Sequence, residues 1–435
     1  MRLIYRLLAA LILIGGSAAA WFLPTVGAAR FDAERKSGSS VQRRQAIAFH
    51  ERRLEEDPRS ALDMAQLAAL LLEEGRMRGN EDALAQAEAL ARRSLGQRSR
   101  RNGRSAALLV NALVAQHRFT EALKVARDLV GFDPETPAYR ALLAEVLMEV
   151  GEYREAITLL GSLRAHREDL GIAPRLARWA ELTGQPGEAR RILAAARDEA
   201  HQRPDLGGEQ RAWYDLRLAD VELRHGNLRH ASAAIRSGLR ESPGDWRLIL
   251  AQAHLEAADG SWRKAIESAE TVIADVPTPD ALALLARGHT LLGRREEAGA
   301  YIVALDAASQ RQREINRALA FTLLDQDTVP GGIARRVAAD TLVRRDIHTL
   351  DLLAWALHKS GQSNAALRIS RRATAMGNVE PALRFRAGMI ELAAGDPSLA
   401  RVHLEVALQG ERALSESQRA EARQTVSNLS SRVIP

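Results

Sequence analysis

Eleven histidines, 55 acidic residues and no cysteine bound the chemistry open to this 435-residue chain. Without cysteine there is no thiolate zinc site, iron–sulfur ligation, disulfide framework or thiol nucleophile. Compartment is not decided by that absence, since reducing and oxidising locations both tolerate cysteine-free chains. No histidine is followed by another four residues later, the spacing that sets two imidazoles on one helix face. His225 and His230 are five apart across a helix end, a poor geometry for a shared metal. The acidic pairs Glu55–Glu56 and Glu296–Glu297 fall on predicted helix surfaces. They read as solvated charges, because an acid/base pair needs two different environments. The chain contains no HExxH, GxSxG, GxxxxGKS, GxxxxGKT or GxGxxG. The expectation is a non-enzyme with no catalytic residue, no metal and no cofactor.

Basic residues offer binding chemistry instead. Lys36, Lys124, Lys264 and Lys359 are the only lysines among 61 basic residues, so the remaining 57 are arginine. Net charge is +6. Residues 1–40 hold five basic and two acidic groups, leaving +3 for the other 395 residues. That balance is too even to imply a polyphosphate partner, and nucleic acid is disfavoured. One loop is denser: Gln97–Arg104 carries Arg98, Arg100, Arg101 and Arg104. It suits an acidic partner, an anionic lipid or a phosphate, or stands as a solvated connection.

The N-terminus reads as a targeting segment. Arg2 and Arg6 precede an uncharged run from Leu7 to Leu23, ended by Pro24. Ala18 with Ala20, or Val26 with Ala28, offers a cleavage site. Trp21 and Phe22 suit an interfacial anchor, and the 17-residue run lies at the lower limit of a spanning helix. Residues 1–29 are thus a signal peptide or an anchor, with membrane contact through 7–23 if uncleaved. Arg30, Arg35, Lys36 and Arg43 after the run favour a cytoplasmic body; the alanines favour export. The expected place is a bacterial cell envelope, periplasmic or inner-membrane anchored.

The elements that must position any site repeat along the chain. GEYREA (Gly151–Ala156), GQPGEA (Gly184–Ala189), GNLRHA (Gly226–Ala231), GSWRKA (Gly260–Ala265), GRREEA (Gly293–Ala298), GQSNAA (Gly361–Ala366) and GDPSLA (Gly395–Ala400) share one form. HRFTEA (His117–Ala122) lacks the glycine. Spacings between successive alanines from 122 to 298 are 34, 33, 42, 34 and 33 residues. An apolar helix precedes each glycine, which ends it in the left-handed conformation. A second helix follows, its alanine placed where two helices cross closely. An apolar or small residue recurs seven positions later, on the same face: Leu129, Leu163, Ala196, Gly238, Val272, Leu305, Ala373 and Ala407. Pro134, Pro243 and Pro277 break the second helices.

A 34-residue helix–turn–helix with these residues resembles the tetratricopeptide repeat (TPR) over roughly residues 58–410. The resemblance implies an all-α, right-handed solenoid of about ten helix pairs. Residues 30–57 are a spacer and leading helix, and 411–435 a capping helix and tail. Two stretches depart from the pattern: an insertion at Arg197–Gly208 and a degenerate pair over 312–345, split by Pro330–Gly332.

The resemblance further implies a concave groove, lined by the first helices, that holds a peptide or protein. Candidate groove residues sit two, three, six, ten or thirteen places before each turn glycine. Repeat by repeat they are Glu145, Met148 and Glu149; Arg178 and Glu181; Asp220 and Arg224; Arg247 and His254; then Arg287. The unit ending at Gly361 supplies His348, Asp351, Trp355, His358 and Lys359, an aromatic anchor among polar groups. Trp355 also suits packing between repeats. The peptide-terminus clamp of chaperone-binding members is not expected, since Asn111 alone matches it. The function implied is a scaffold or adaptor at the envelope. Alternatives are a cytoplasm-facing adaptor and a non-catalytic subunit presenting substrate to a partner enzyme.

Overall fold

The computed structural model describes residues 30–309, 316–325 and 330–431, with side chains at 30–40, 309 and 330 left aside. The targeting run at 7–23 lies outside the described residues. Among those described, every regular element is helical. A leading helix, α1 (Arg30–Glu56), precedes ten helix pairs. Repeat 1 is α2 (Ala61–Arg78) with α3 (Glu81–Gln97); repeat 2 is α4 (Gly103–Ala115) with α5 (Phe119–Phe132). Repeat 3 is α6 (Pro137–Val150) with α7 (Tyr153–Leu163); repeat 4 is α8 (Ala173–Leu182) with α9 (Pro186–Gln202). Repeat 5 is α10 (Gly208–Arg224) with α11 (Leu228–Glu241); repeat 6 is α12 (Trp246–Ala258) with α13 (Trp262–Asp275). Repeat 7 is α14 (Pro279–Leu291) with α15 (Arg295–Ser309); repeat 8 is α16 (Arg317–Asp325) with α17 (Pro330–Asp340). Repeat 9 is α18 (Ile347–Lys359) with α19 (Ser363–Thr374); repeat 10 is α20 (Pro381–Ala393) with α21 (Pro397–Gln409). A polar helix, α22 (Glu416–Ser431), covers the last pair.

Local chemistry accounts for the pairs. Side chains of Ser60, Asn80, Thr278, Asp346 and Asp396 cap helix N-termini by accepting from backbone N–H groups. Proline occupies a first-turn position in α6, α9, α14, α20 and α21, where its missing N–H costs nothing. The motif alanines 122, 156, 189, 231, 265, 366 and 400 are fully buried, and Ala298 nearly so. A larger side chain there would push the paired helices apart. Helices α5, α11 and α13 end two residues before Pro134, Pro243 and Pro277. The insertion at 197–208 is an extension of α9 plus a short loop.

Repeats curve until the chain meets itself, six repeats later. The turn of repeat 1 lies on the start of repeat 7, Gly79 facing Val276. The turn of repeat 3 meets the start of repeat 9, where Arg345 N–H donates to Val150 O at 2.9 Å. The turn of repeat 4 faces Gly377 before repeat 10, and that of repeat 5 faces Gly410 before α22. Ile347 and Leu383, from repeats 9 and 10, pack into the apolar core of repeats 1–4. Two superhelical turns are therefore stacked in direct contact.

This stacking gives Gly184 two tasks. Its φ of +76° needs glycine, and a Cβ would also run into the Gly377 carbonyl. Gly361, at φ +78° in the second turn, has open space around it. Replacing either with alanine strains the backbone by about 1–2 kcal/mol. Gly184→Ala should lose at least about 1 kcal/mol more than Gly361→Ala in urea unfolding. Equal losses would mean the two turns do not touch in solution.

Candidate functional site

The register rule takes the first helices of the pairs to line one face, and successive first helices do lie against one another. It misjudges what that face is doing. Most of the predicted groove residues are already bound within the chain. Glu145 accepts from Arg175 Nε at 2.8 Å, and Asp220 pairs with Arg217 at 3.2 Å. Arg247 is held by Asp245 at 2.6 Å and donates to Met77 Sδ of repeat 1. Beside it, Trp246 Nε1 donates to Met77 O at 2.9 Å.

Glu181 is the centre of the densest network. It is 1% exposed, accepting from Arg224 at 2.7 Å and Arg178 at 2.9 Å. Its backbone carbonyl accepts from Nδ2 of Asn378, a fully buried side chain of the second turn. Burial alone would raise this carboxyl; the charges of Arg224 and Arg178, with the His225 ring close by, hold it well below the ordinary range. The register rule selects Glu181 with Arg178 but not Asn378, which reaches across the turns. The only local signal was a Gly–Asn pair three residues before Pro381.

Two predicted anchors need correction. Asp351 is buried and makes a two-pronged bridge to Arg386 of repeat 10, with Nε–Oδ2 at 2.9 Å. Trp355 is 8% exposed, stacked on His358 at 4.9 Å and tilted against Phe385 at 6.3 Å. Lys359 Nζ caps its ring at 5.9 Å. These residues face the next repeat, so Trp355 packs between repeats and is not an exposed aromatic anchor. Fully desolvated pairs such as Asp351–Arg386 bind the repeats together geometrically more than energetically.

Glu149 and His348 lie where the turns meet. Glu149 takes Arg344 at 3.3 Å. Arg178 Nη2 lies 3.0 Å from His348 Nε2. Arginine can only donate, so this nitrogen accepts and His348 is neutral, with its proton on Nδ1. Nδ1 faces Glu380 Oε2 at 3.9 Å, an oxygen with no hydrogen-bond partner. Burial lowers His348 to about 4, Glu380 and Asp346 opposing and Arg178 and Arg317 assisting.

His254 and Arg287, on the first helices of repeats 6 and 7, remain exposed. Burial among the surrounding repeats nonetheless lowers both, Asp280 and Asp220 opposing for His254 and Asp325 for Arg287. Arg287 also lies over the Trp262 ring at 5.5 Å. The basic loop is exposed at Arg98, Arg100, Arg101 and Arg104. Arg98 donates to Arg100 O, Arg104 donates to Gln66, and Arg101 sits at φ +53°. Among the described residues no three His, Asp or Glu side chains converge as a metal would require, and no helix is long and apolar enough to cross a membrane.

The lowered His348 has a thermodynamic consequence. Between pH 6.5 and about 4 the unfolded chain binds this proton and the folded chain does not. Folded stability therefore falls as pH drops through that window and levels off below it. The loss is on the order of 3 kcal/mol at most. His348→Gln should flatten the slope of urea stability against pH in this range; an unchanged slope would contradict the assignment.

Residues 80–163, from α3 through α7, match the family model described as anaphase-promoting complex, cyclosome, subunit 3. No curated relative matches the chain. Among solved structures, a tetratricopeptide repeat protein from Parabacteroides merdae is 17% identical, with a TM-score of 0.42 over 59% of this chain and 98% of that one. PilW, a type IV pilus biogenesis factor, is 16% identical, with a TM-score of 0.40 over 51% of this chain and 99% of its own. Human IFIT1, as a dimer with PPP-AAAA, is 16% identical, with a TM-score of 0.46 over 86% of this chain and 88% of its own. With helix pairs at the expected period and the sequence match across α3 to α7, the repeats of this chain are of the tetratricopeptide type.

Proposed function

We propose that this chain is a non-catalytic scaffold that captures a segment of another protein on its inner face, at a bacterial cell envelope. The observation that carries the reading is the contrast along that face. In repeats 3 to 5 the inner charges are tied into ion pairs. In repeats 6 and 7, His254 and Arg287 stay open to water while enclosed by protein. Such groups trade water for a partner at low cost, and a shielded setting strengthens the contact they then make. Repeat solenoids present extended concave surfaces suited to this use. Delivery to the envelope rests on the basic start and apolar run over residues 1–29.

A photo-crosslinking residue at position 287 tests the first part. It should yield a discrete partner adduct in cells, whereas the same residue at exposed Arg368 on α19 should not. Equal crosslinking from both positions would remove the inner face as the binding site. For the second part, a C-terminally tagged chain should fractionate with the membrane or periplasm. Recovery in the cytosol, with the run intact, would contradict envelope delivery.

A further inference from the structure

The connection between α17 and α18 binds the first superhelical turn as a separate peptide would. Four of the five residues from Arg344 to His348 bond to it or pack against it, the last two being the first residues of α18. The Arg344 guanidinium lies 4.4 Å over the Phe119 ring and donates to Glu149 O at 3.2 Å and Glu149 Oε2 at 3.3 Å. Arg345 N–H donates to Val150 O at 2.9 Å, and Ile347 N–H to Tyr153 Oη at 2.9 Å. The Ile347 side chain, 1% exposed, enters the core of repeats 1–4. His348 accepts from Arg178. Asp346 shapes the segment from within, accepting from Arg344 Nε, Thr349 Oγ1 and the backbone N–H groups of His348 and Thr349. Gly151, without a Cβ, lets the segment's backbone come this close.

The receiving surface has a definite chemistry. An aromatic ring and a carboxylate receive a guanidinium. A helix-end carbonyl and a phenol oxygen receive two backbone N–H groups. An apolar socket takes an aliphatic side chain three residues after the arginine. A cavity of about 40 Å³ between Glu149, Tyr153, Arg178, Asp346 and His348 leaves the seat partly hollow. That is room for about one or two waters between polar groups. The second turn reaches this seat through repeat 8, whose helices span nine and eleven of the described residues.

We propose that the turn of repeat 3, with Phe119 and Arg178 beside it, is a recognition surface for a protein segment of the form Arg-x-Asp-aliphatic that enters a helix at the aliphatic residue. The chain's own Arg344–Ile347 occupies it in the closed superhelix. A partner segment of the same chemistry takes its place when the turns part. The inference rests on the reading of this chain as a partner-binding scaffold, but it uses a surface distinct from the inner face near Arg287. Tethering gives the resident segment an effective concentration of about millimolar, so it holds the seat until the second turn is loosened.

The experiment uses the full chain and a fluorescent peptide of residues 341–350. Arg344→Ala combined with Ile347→Ala removes the two side chains that fill the seat and leaves the seat's own residues unchanged. By small-angle X-ray scattering this variant should be more extended than the wild-type chain, with unchanged helical circular dichroism. The peptide should bind the variant, and the wild-type chain at least about tenfold more weakly. Adding Glu149→Ala to the variant should cut binding again, as should reversing the peptide sequence. Arg344→Ala alone, which loosens the segment less, is the second variant should the double substitution fail to fold. No change in scattering for a folded variant would overturn self-occupation. An extended variant that ignores the peptide would overturn the recognition surface. Either failure leaves crosslinking at position 287 unaffected, so it is separable from failure of the scaffold reading.

Discussion

Backbone meeting backbone across one superhelical turn is the contact on which the rest of this molecule depends. Each helix pair packs on its neighbours through small residues, Ala156, Ala189 and Ala231 among them, and those contacts set a local curvature. Six such steps bring the turn of repeat 3 against the start of repeat 9, and that of repeat 4 against the start of repeat 10. A repeat solenoid is ordinarily stabilised by nearest neighbours alone. Here a second, long-range set of contacts closes on top of the first. It also fixes the separation of the inner-face residues, because curvature and radius can no longer vary freely.

The arginine-rich composition follows the same logic. Guanidinium groups span gaps with fixed, planar, multi-donor geometry. Arg344, Arg178 and Arg224 do so around Glu149, His348 and Glu181, while Arg386 ties repeat 9 to repeat 10. Buried ion pairs of this kind contribute little net stability, yet breaking one leaves a charge stranded. They make the register between turns unforgiving of small displacements. His254 and Arg287 lie outside this network and stay accessible to water.

What was legible in the sequence was everything local. The alanine spacings, the turn glycines and the prolines after the second helices all report on contacts within a repeat or between neighbours. They placed the ten pairs, the extended α9 and the polar terminal helix. The register rule likewise points to one face of the first helices. What it lacked was any sign that the solenoid closes. A contact six repeats away has no spacing of its own, since it is a sum of small rotations. Gly184 and Gly361 look alike in sequence because positive φ requires glycine at both, though only Gly184 has a backbone pressed against it. Trp355 and Asp351 misled for a related reason. Their positions point inward, but Phe385 and Arg386 of the next repeat stand in front of them.

Amide hydrogen exchange at Arg345 and Ile347 tests the closed superhelix most directly. Both amides lie outside helical hydrogen bonding and are satisfied only by the first turn, through Val150 O and Tyr153 Oη. The stacked arrangement predicts that they exchange as slowly as amides of the adjoining helix α18. Exchange at the rate of an unprotected loop, with α18 still protected, would show that the two turns are apart and contradict the account.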